Sequence, residues 1–126
     1  MNKRNTKQKN LIIETLKNDK THPTIRELYI KIKDKDSSIG QATVYRNVNK
    51  LLDSKDIIKM QTSDGVDHYD GNCNPHYHLK CKNCGKIIDI FDNSFEQNKL
   101  NIEKKYFVKI DNTIILFEGI CDECIN

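Results

Sequence analysis

Three stretches with apolar residues at helical spacing, an Asp-Gly between two β-prone runs, and two Cys-x-x-Cys knuckles farther on predict an α+β chain in two parts. The first part has the order of a winged helix-turn-helix, and the second is a small α+β dimerisation unit held by structural zinc. A length of 126 residues has room for two small domains and no more.

The first helix is expected over residues 6–18, where Leu11, Ile12 and Leu16 share a face. The second starts after His22-Pro23. Thr24 is a good N-cap, Glu27 three residues on completes a capping box, and Ile25, Leu28 and Ile32 follow at helical spacing. Ser37-Ser38-Ile39-Gly40 reads as a turn into a third helix, with Val44, Val48, Leu51 and Leu52 inward. Gln41, Thr43, Tyr45, Arg46, Asn47 and Lys50 then lie off the apolar stripe. Ile57–Thr62 and Val66–Tyr69, flanking Ser63-Asp64-Gly65, read as a hairpin, the wing.

The turn-rich stretch from Asp70 to Pro75 divides the chain, giving domains over 1–70 and 76–126 with a hinge at 71–75. Past it, Tyr77–Cys81 and Lys86–Phe91 are β-prone and joined through the first knuckle. Ser94 with Gln97 marks a helix start, running to Lys105. Phe107–Ile110 and Thr113–Gly119 are expected to pair with each other around Asp111-Asn112. A unit of about 50 residues barely buries a core, so it needs zinc, a partner subunit, or both.

The net charge of +3 hides a division. Residues 1–60 carry 14 Lys/Arg against 7 Asp/Glu, whereas residues 61–126 carry 7 against 11. The basic half suits nucleic acid. In a winged helix-turn-helix the third helix enters the major groove, where its Arg, Asn and Tyr can meet base edges and phosphates. Lysine–phosphate contacts make such binding fall steeply with salt. The longest apolar run is four residues, Ile114 to Phe117, which excludes a membrane-spanning helix. No leader of signal-peptide type opens the sequence, so a cytoplasmic location is expected.

Four of the five cysteines form Cys81-x-x-Cys84 and Cys121-x-x-Cys124. Without signs of export, disulfides are disfavoured, and no βαβ pattern supports two redox pairs. Four thiolates suit one tetrahedral Zn(II) per subunit. Cys73 reads as an ordinary free thiol. His76-x-His78 places two imidazoles on one side of a strand, three residues before the first knuckle. His22, Asp70 and Asp89 are further ligand candidates, and together these five straddle the domain boundary. His68, in the wing, reads as an exposed strand residue.

The order and spacing of several segments resemble the ferric uptake regulator family of bacterial metal-dependent repressors over nearly the whole chain. They are His22-Pro23-Thr24, Glu27-Leu28-Tyr29, Ala42-Thr43-Val44-Tyr45-Arg46-Asn47, Tyr69-Asp70, His76-Tyr77-His78-Leu79, Cys81-x-x-Cys84-Gly85-Lys86-Ile87-Ile88-Asp89 and Gly119-Ile120-Cys121-x-x-Cys124. The resemblance implies a regulatory site for Fe(II) or Mn(II), one per subunit, whose ligands map onto His22, Asp70, His76, His78 and Asp89. Three imidazoles with two carboxylates form a shell suited to either ion.

Aspartate at both acidic positions resembles the peroxide-sensing branch, in which iron-bound protein reacts with hydrogen peroxide and a ligand histidine is oxidised. The matching positions are His22 and His76. A homodimer on a palindromic operator is implied, with no catalysis on an organic substrate. An iron-uptake regulator without peroxide chemistry is the alternative. Lys9 matches a minor-groove contact of the N-terminal arm. Tyr77 and Ile120 depart from the pattern of an additional metal site in some iron regulators, and Gly40 stands where Ser usually caps the recognition helix.

Overall fold

The computed structural model describes residues 3–126, with side chains from Thr6 onward. It divides into two compact units, one ending at Cys73 and the other spanning Asn74–Asn126. Among the described residues, no helix is long and apolar enough to cross a membrane.

In the first unit, α1 (Lys3–Asn18), α2 (Ile25–Lys35) and α3 (Gln41–Asp53) precede a hairpin of β1 (Ile58–Gln61) and β2 (Asp67–Asp70). Helix α2 begins where its local chemistry places it. The Thr24 side chain accepts from the Glu27 N–H, and the Glu27 carboxylate accepts from the Thr24 N–H. This reciprocal cap satisfies two donors that the first turn leaves without partners. Helix α3 starts at Gly40 with no side-chain cap, and relies on packing. Ile12, Leu16, Leu28, Ile32, Val44, Val48 and Leu51 bury one stripe from each helix, with Ile57 and Tyr69 closing the core from the wing. The wing turns at Gly65, whose φ of 82° a side chain would resist, and pairs Met60 with His68.

Gly71 follows the hairpin and lies against α1. A Cβ there would sit 2.7 Å from the Lys17 nitrogen and 3.0 Å from the Leu16 carbonyl carbon, both backbone atoms. Gly71→Ala is therefore expected to cost about 1–3 kcal/mol, as overpacking against an immovable neighbour does. Thermal melting of the variant beside the parent protein checks this, and an unchanged midpoint would contradict the close approach.

In the second unit, β3 (Tyr77–Cys81), β4 (Ile87–Ile90), α4 (Ser94–Tyr106) and β5 (Ile115–Gly119) form a three-stranded sheet of order β4-β3-β5 with one helix. β3 and β4 are antiparallel, whereas β5 lies parallel to β3, with Tyr77 opposite Ile115 and Cys81 opposite Gly119. Tyr77 anchors the helix: its ring meets Phe95 edge-on at 5.0 Å, and its hydroxyl contacts Ser94 Oγ and Asn98 Nδ2 at 3.0 and 3.2 Å.

The strand expected over Phe107–Ile110 is not formed, and Thr113–Gly119 does not pair with it. Phe107 takes a left-handed conformation (φ 55°) as the C-cap of α4. The Val108 N–H then donates to the Glu103 carbonyl, and the Ile110 N–H to the Glu103 carboxylate. Backbone donors that a ladder would need are turned to the helix end instead.

Candidate metal centres and nucleic-acid face

Parallel pairing of β3 and β5 decides where the cysteines meet. Both strands run the same way, so the knuckle after each leaves the sheet at the same end. One sulfur from each of Cys81, Cys84, Cys121 and Cys124 lies within 4.8 Å of the others. The backbone supports charge on the sulfur of Cys81: the N–H groups of Cys84 and Cys121 point at it from 3.5 and 3.4 Å. Those two hydrogen bonds bring the Cys81 thiol down to about 6. At Cys124 a hydrogen bond from Asn83 acts downward, yet the Cys121 sulfur, burial and the other two cysteines push the thiol up to about 11. Four sulfurs this close cannot all ionise without a cation among them. The donor set and the inward N–H groups fit structural Zn(II). Lys86 links the two knuckles from outside through Glu123 at 2.8 Å.

The imidazole and carboxylate candidates form a cluster in each unit. In the first, the His22 Nε2 is 3.3 Å from Asp70 Oδ2, and both side chains are buried. Asp70 Oδ1 accepts from the Asn72 N–H at 2.8 Å, which fixes the carboxylate. His22 has φ of 57°, a conformation that costs a non-glycine residue about 1–3 kcal/mol and concentrates at functional positions.

In the second, β3 supplies His76 just ahead of its first residue and His78 within it, and β4 supplies Asp89, opposite His78. Asp89 Oδ1 is 2.8 Å from His76 Nε2 and 3.3 Å from His78 Nε2. The Asn74 carbonyl is 2.6 Å from His76 Nδ1, and a carbonyl only accepts, so Nδ1 carries the proton. Nε2, the other ring nitrogen, faces a carboxylate oxygen at 2.8 Å, so the two together could hold a cation. A histidine tautomer fixed through its remote nitrogen is the usual setting of a metal ligand. Phe91 stacks on the His76 ring at 4.7 Å and braces its plane. Nitrogen and carboxylate donors of this kind fit Fe(II) or Mn(II) better than the sulfur site does.

The α3 face is only partly as the periodicity predicts. Gln41, Arg46 and Lys50 are exposed, while Thr43 and Tyr45 are half-buried, with Gln41 Nε2 donating to the Tyr45 hydroxyl at 3.2 Å. Lys9, on α1, is also half-buried. Asn47 belongs to the buried side, at 1% exposure, and its Nδ2 reaches Gln8 Oε1 of α1 at 3.4 Å. Placing it off the apolar stripe is therefore corrected. Position 47 stands three after Val44 and four before Leu51, so the helical period itself carries the signal.

Two residues left outside the sites find definite settings. Cys73 Sγ donates to the Asp56 carbonyl, and burial, with the charges of Asp70 and Asp56, raises its pKa above the usual value, keeping it a thiol at neutral pH. His68 is half-buried rather than exposed, with its Nδ1 2.9 Å from the His22 carbonyl oxygen. Nothing in the alternation of a short strand signals that contact.

Residues 1–117 match the sequence model of the ferric uptake regulator family. A ferric uptake regulation protein from Campylobacter jejuni is 33% identical over 124 residues, covering 96% of this chain and 79% of that protein. A peroxide-responsive repressor from Staphylococcus aureus is 32% identical over 124 residues, covering 94% of this chain and 80% of that one. Among solved structures, the Campylobacter jejuni peroxide stress regulator superposes with a TM-score of 0.87 at 29% identity, covering 96% of this chain and 91% of that chain.

Proposed function

The chain belongs to the ferric uptake regulator family, and from that premise we propose that this metal-responsive repressor senses peroxide. In this reading it acts as a homodimer on a palindromic operator. Its regulatory ion is shared by His22 and Asp70 of the first unit and His76, His78 and Asp89 of the second. The observation that carries the reading is the donor set. Both carboxylates are the shorter aspartate, and each already lies within 3.3 Å of an imidazole nitrogen of its own unit. Two Asp charges offset a divalent ion, and ligands drawn from both units favour one arrangement of those units over others. Metal binding thereby becomes a shift of population toward the DNA-competent form.

Fe(II) held there would supply the electron that opens the O–O bond of hydrogen peroxide; overall, one peroxide oxygen enters a C–H bond of a nearby ring, the other leaves as water, and the two electrons the ring loses are the two the peroxide gains. The residues determine where that chemistry lands. His76 is held by the Asn74 carbonyl and Phe91, and His22 by its backbone, so each ring stays fixed toward its carboxylate. Oxidation of either ring removes a donor nitrogen and, with it, the preference for the DNA-competent form.

For DNA, Gln41, Thr43, Tyr45, Arg46 and Lys50 of α3 form the major-groove face, Lys9 approaches the minor groove, and Asn47 acts through Gln8 by fixing α3 against α1. The second copy covers apolar surface of the second unit, where Phe107 is 95% and Tyr106 63% exposed.

Exposure of the Fe(II)-loaded protein to stoichiometric peroxide tests the sensing reaction. Peptides containing His22 or His76 are expected to gain one oxygen in mass spectra, with release from operator DNA, while Mn(II)-loaded protein stays bound and unmodified. Iron-dependent DNA binding without any oxidised histidine would instead identify an iron-uptake regulator, the function named for several relatives.

A further inference from the structure

The wing strand does more than carry a loop toward DNA. Asp70 ends β2, and His68, two residues earlier, points to the same side of the strand, while Tyr69 between them enters the core. His68 Nδ1 lies 2.9 Å from the carbonyl oxygen of His22, and the neighbouring Tyr69 N–H donates to the Pro23 carbonyl at the same distance. A carbonyl oxygen can only accept, so His68 donates through Nδ1. The residue gripped in this way, His22, has a left-handed backbone at φ 57°, and its imidazole faces Asp70 at 3.3 Å.

Strained conformations persist where surrounding contacts over-determine them. Two adjacent bonds from β2 to consecutive carbonyls do this for the His22-Pro23 loop: the Tyr69 bond is backbone and independent of sequence, whereas the His68 bond depends on its side chain.

We infer that His68 is a positioning residue for the regulatory metal: its Nδ1–H holds the His22 backbone so that the His22 imidazole faces Asp70. The inference rests on the reading that His22 and Asp70 are metal ligands. In consequence β2 bears both ligands of the first unit, Asp70 within the strand and His22 through His68. A displacement of the wing is thus felt by both donors together.

Binding of Mn(II) to the full-length, zinc-loaded protein, followed by loss of the free-ion electron paramagnetic resonance signal, tests the inference. His68→Leu is expected to weaken Mn(II) roughly 10- to 100-fold, the range found when partners of metal ligands are removed. His68→Asn restores a donor near the Nδ1 position and is expected to recover most of that loss. Unchanged affinity in His68→Leu, or no recovery in His68→Asn, would overturn the positioning role.

His22→Ala and Asp70→Ala are run alongside. If these too leave Mn(II) binding unchanged, the ligand assignment is what fails; if they abolish it while His68→Leu does not, only the role of His68 fails. Should the leucine variant not fold, nitrogen-15 spectra of the parent protein decide: His68 must show the Nδ1-protonated tautomer, and an Nε2-H tautomer would overturn the inference.

Discussion

Cys121→Ser is expected to strip the chain of its zinc and unfold residues 74–126, leaving the three-helix core of the first unit in place. Structural Zn(II) contributes about 10–16 kcal/mol in small zinc-bound peptides, against a net stability of about 5–15 kcal/mol for a whole domain. The second unit has little else to draw on. Its buried apolar side chains are few, chiefly Tyr77, Ile87 and Phe95 beside Cys81 and Cys121, while Phe91, Leu100, Ile102 and Phe117 stand exposed.

Serine at position 121 also leaves three thiols crowded at the mouth of one sheet without the fourth ligand. Elemental analysis should show zinc falling from one per chain to almost none, with the β-sheet signal in circular dichroism reduced to that of the wing hairpin. The first unit, whose core contains no cysteine, should retain its helical signal. Retention of one zinc with an unchanged melt would mean that the four sulfurs are not the structural site.

His78→Ala is expected to abolish the gain in operator affinity produced by Mn(II) while leaving zinc near one per chain. Carrying a dimer from about 1% to 99% competent requires the ion to prefer that state by about 5.5 kcal/mol. In the proposed set of five donors His78 shares Asp89 Oδ1 with His76. Removing it takes away one ligand and loosens the carboxylate that serves a second. Mobility shifts across an Mn(II) titration should then superpose on those without metal. A variant that responds to Mn(II) like the parent protein would exclude His78 from the regulatory site, and one that loses zinc would show that the two sites had been confused.

Local chemistry in the sequence accounts for much of this architecture. The start of α2 follows from Thr24 and Glu27, the wing from Asp64-Gly65, and the candidate zinc ligands from Cys-x-x-Cys spacing, each a matter of a few adjacent residues. What could not be read depends on partners far away in sequence. The β-prone run at Phe107–Ile110 has the composition of a strand, but its donors are taken by Glu103. The true neighbour of β5 is β3, an association between residues about 40 positions apart with no short-range mark.

The ligand candidates were legible by type and spacing, reinforced by family resemblance. The second layer around them was not: a ring nitrogen of His68 meeting the carbonyl of residue 22, or Phe91 stacked on His76 at an interplanar angle of 28°, leaves no periodic trace. Asn47 is different, since its place on the 44–47–48–51 stripe was available and its polarity obscured it.

The parallel pairing of β3 and β5 also sets a timetable. The 36 residues between Cys84 and Cys121 take about 2–7 s to synthesise at the usual pace of translation. During that interval the first two thiols exist without the second two, and neither the parallel strand nor the closed metal cage can form. Closure of the four-cysteine cluster therefore waits until β5 and the second knuckle have been made and have returned to β3.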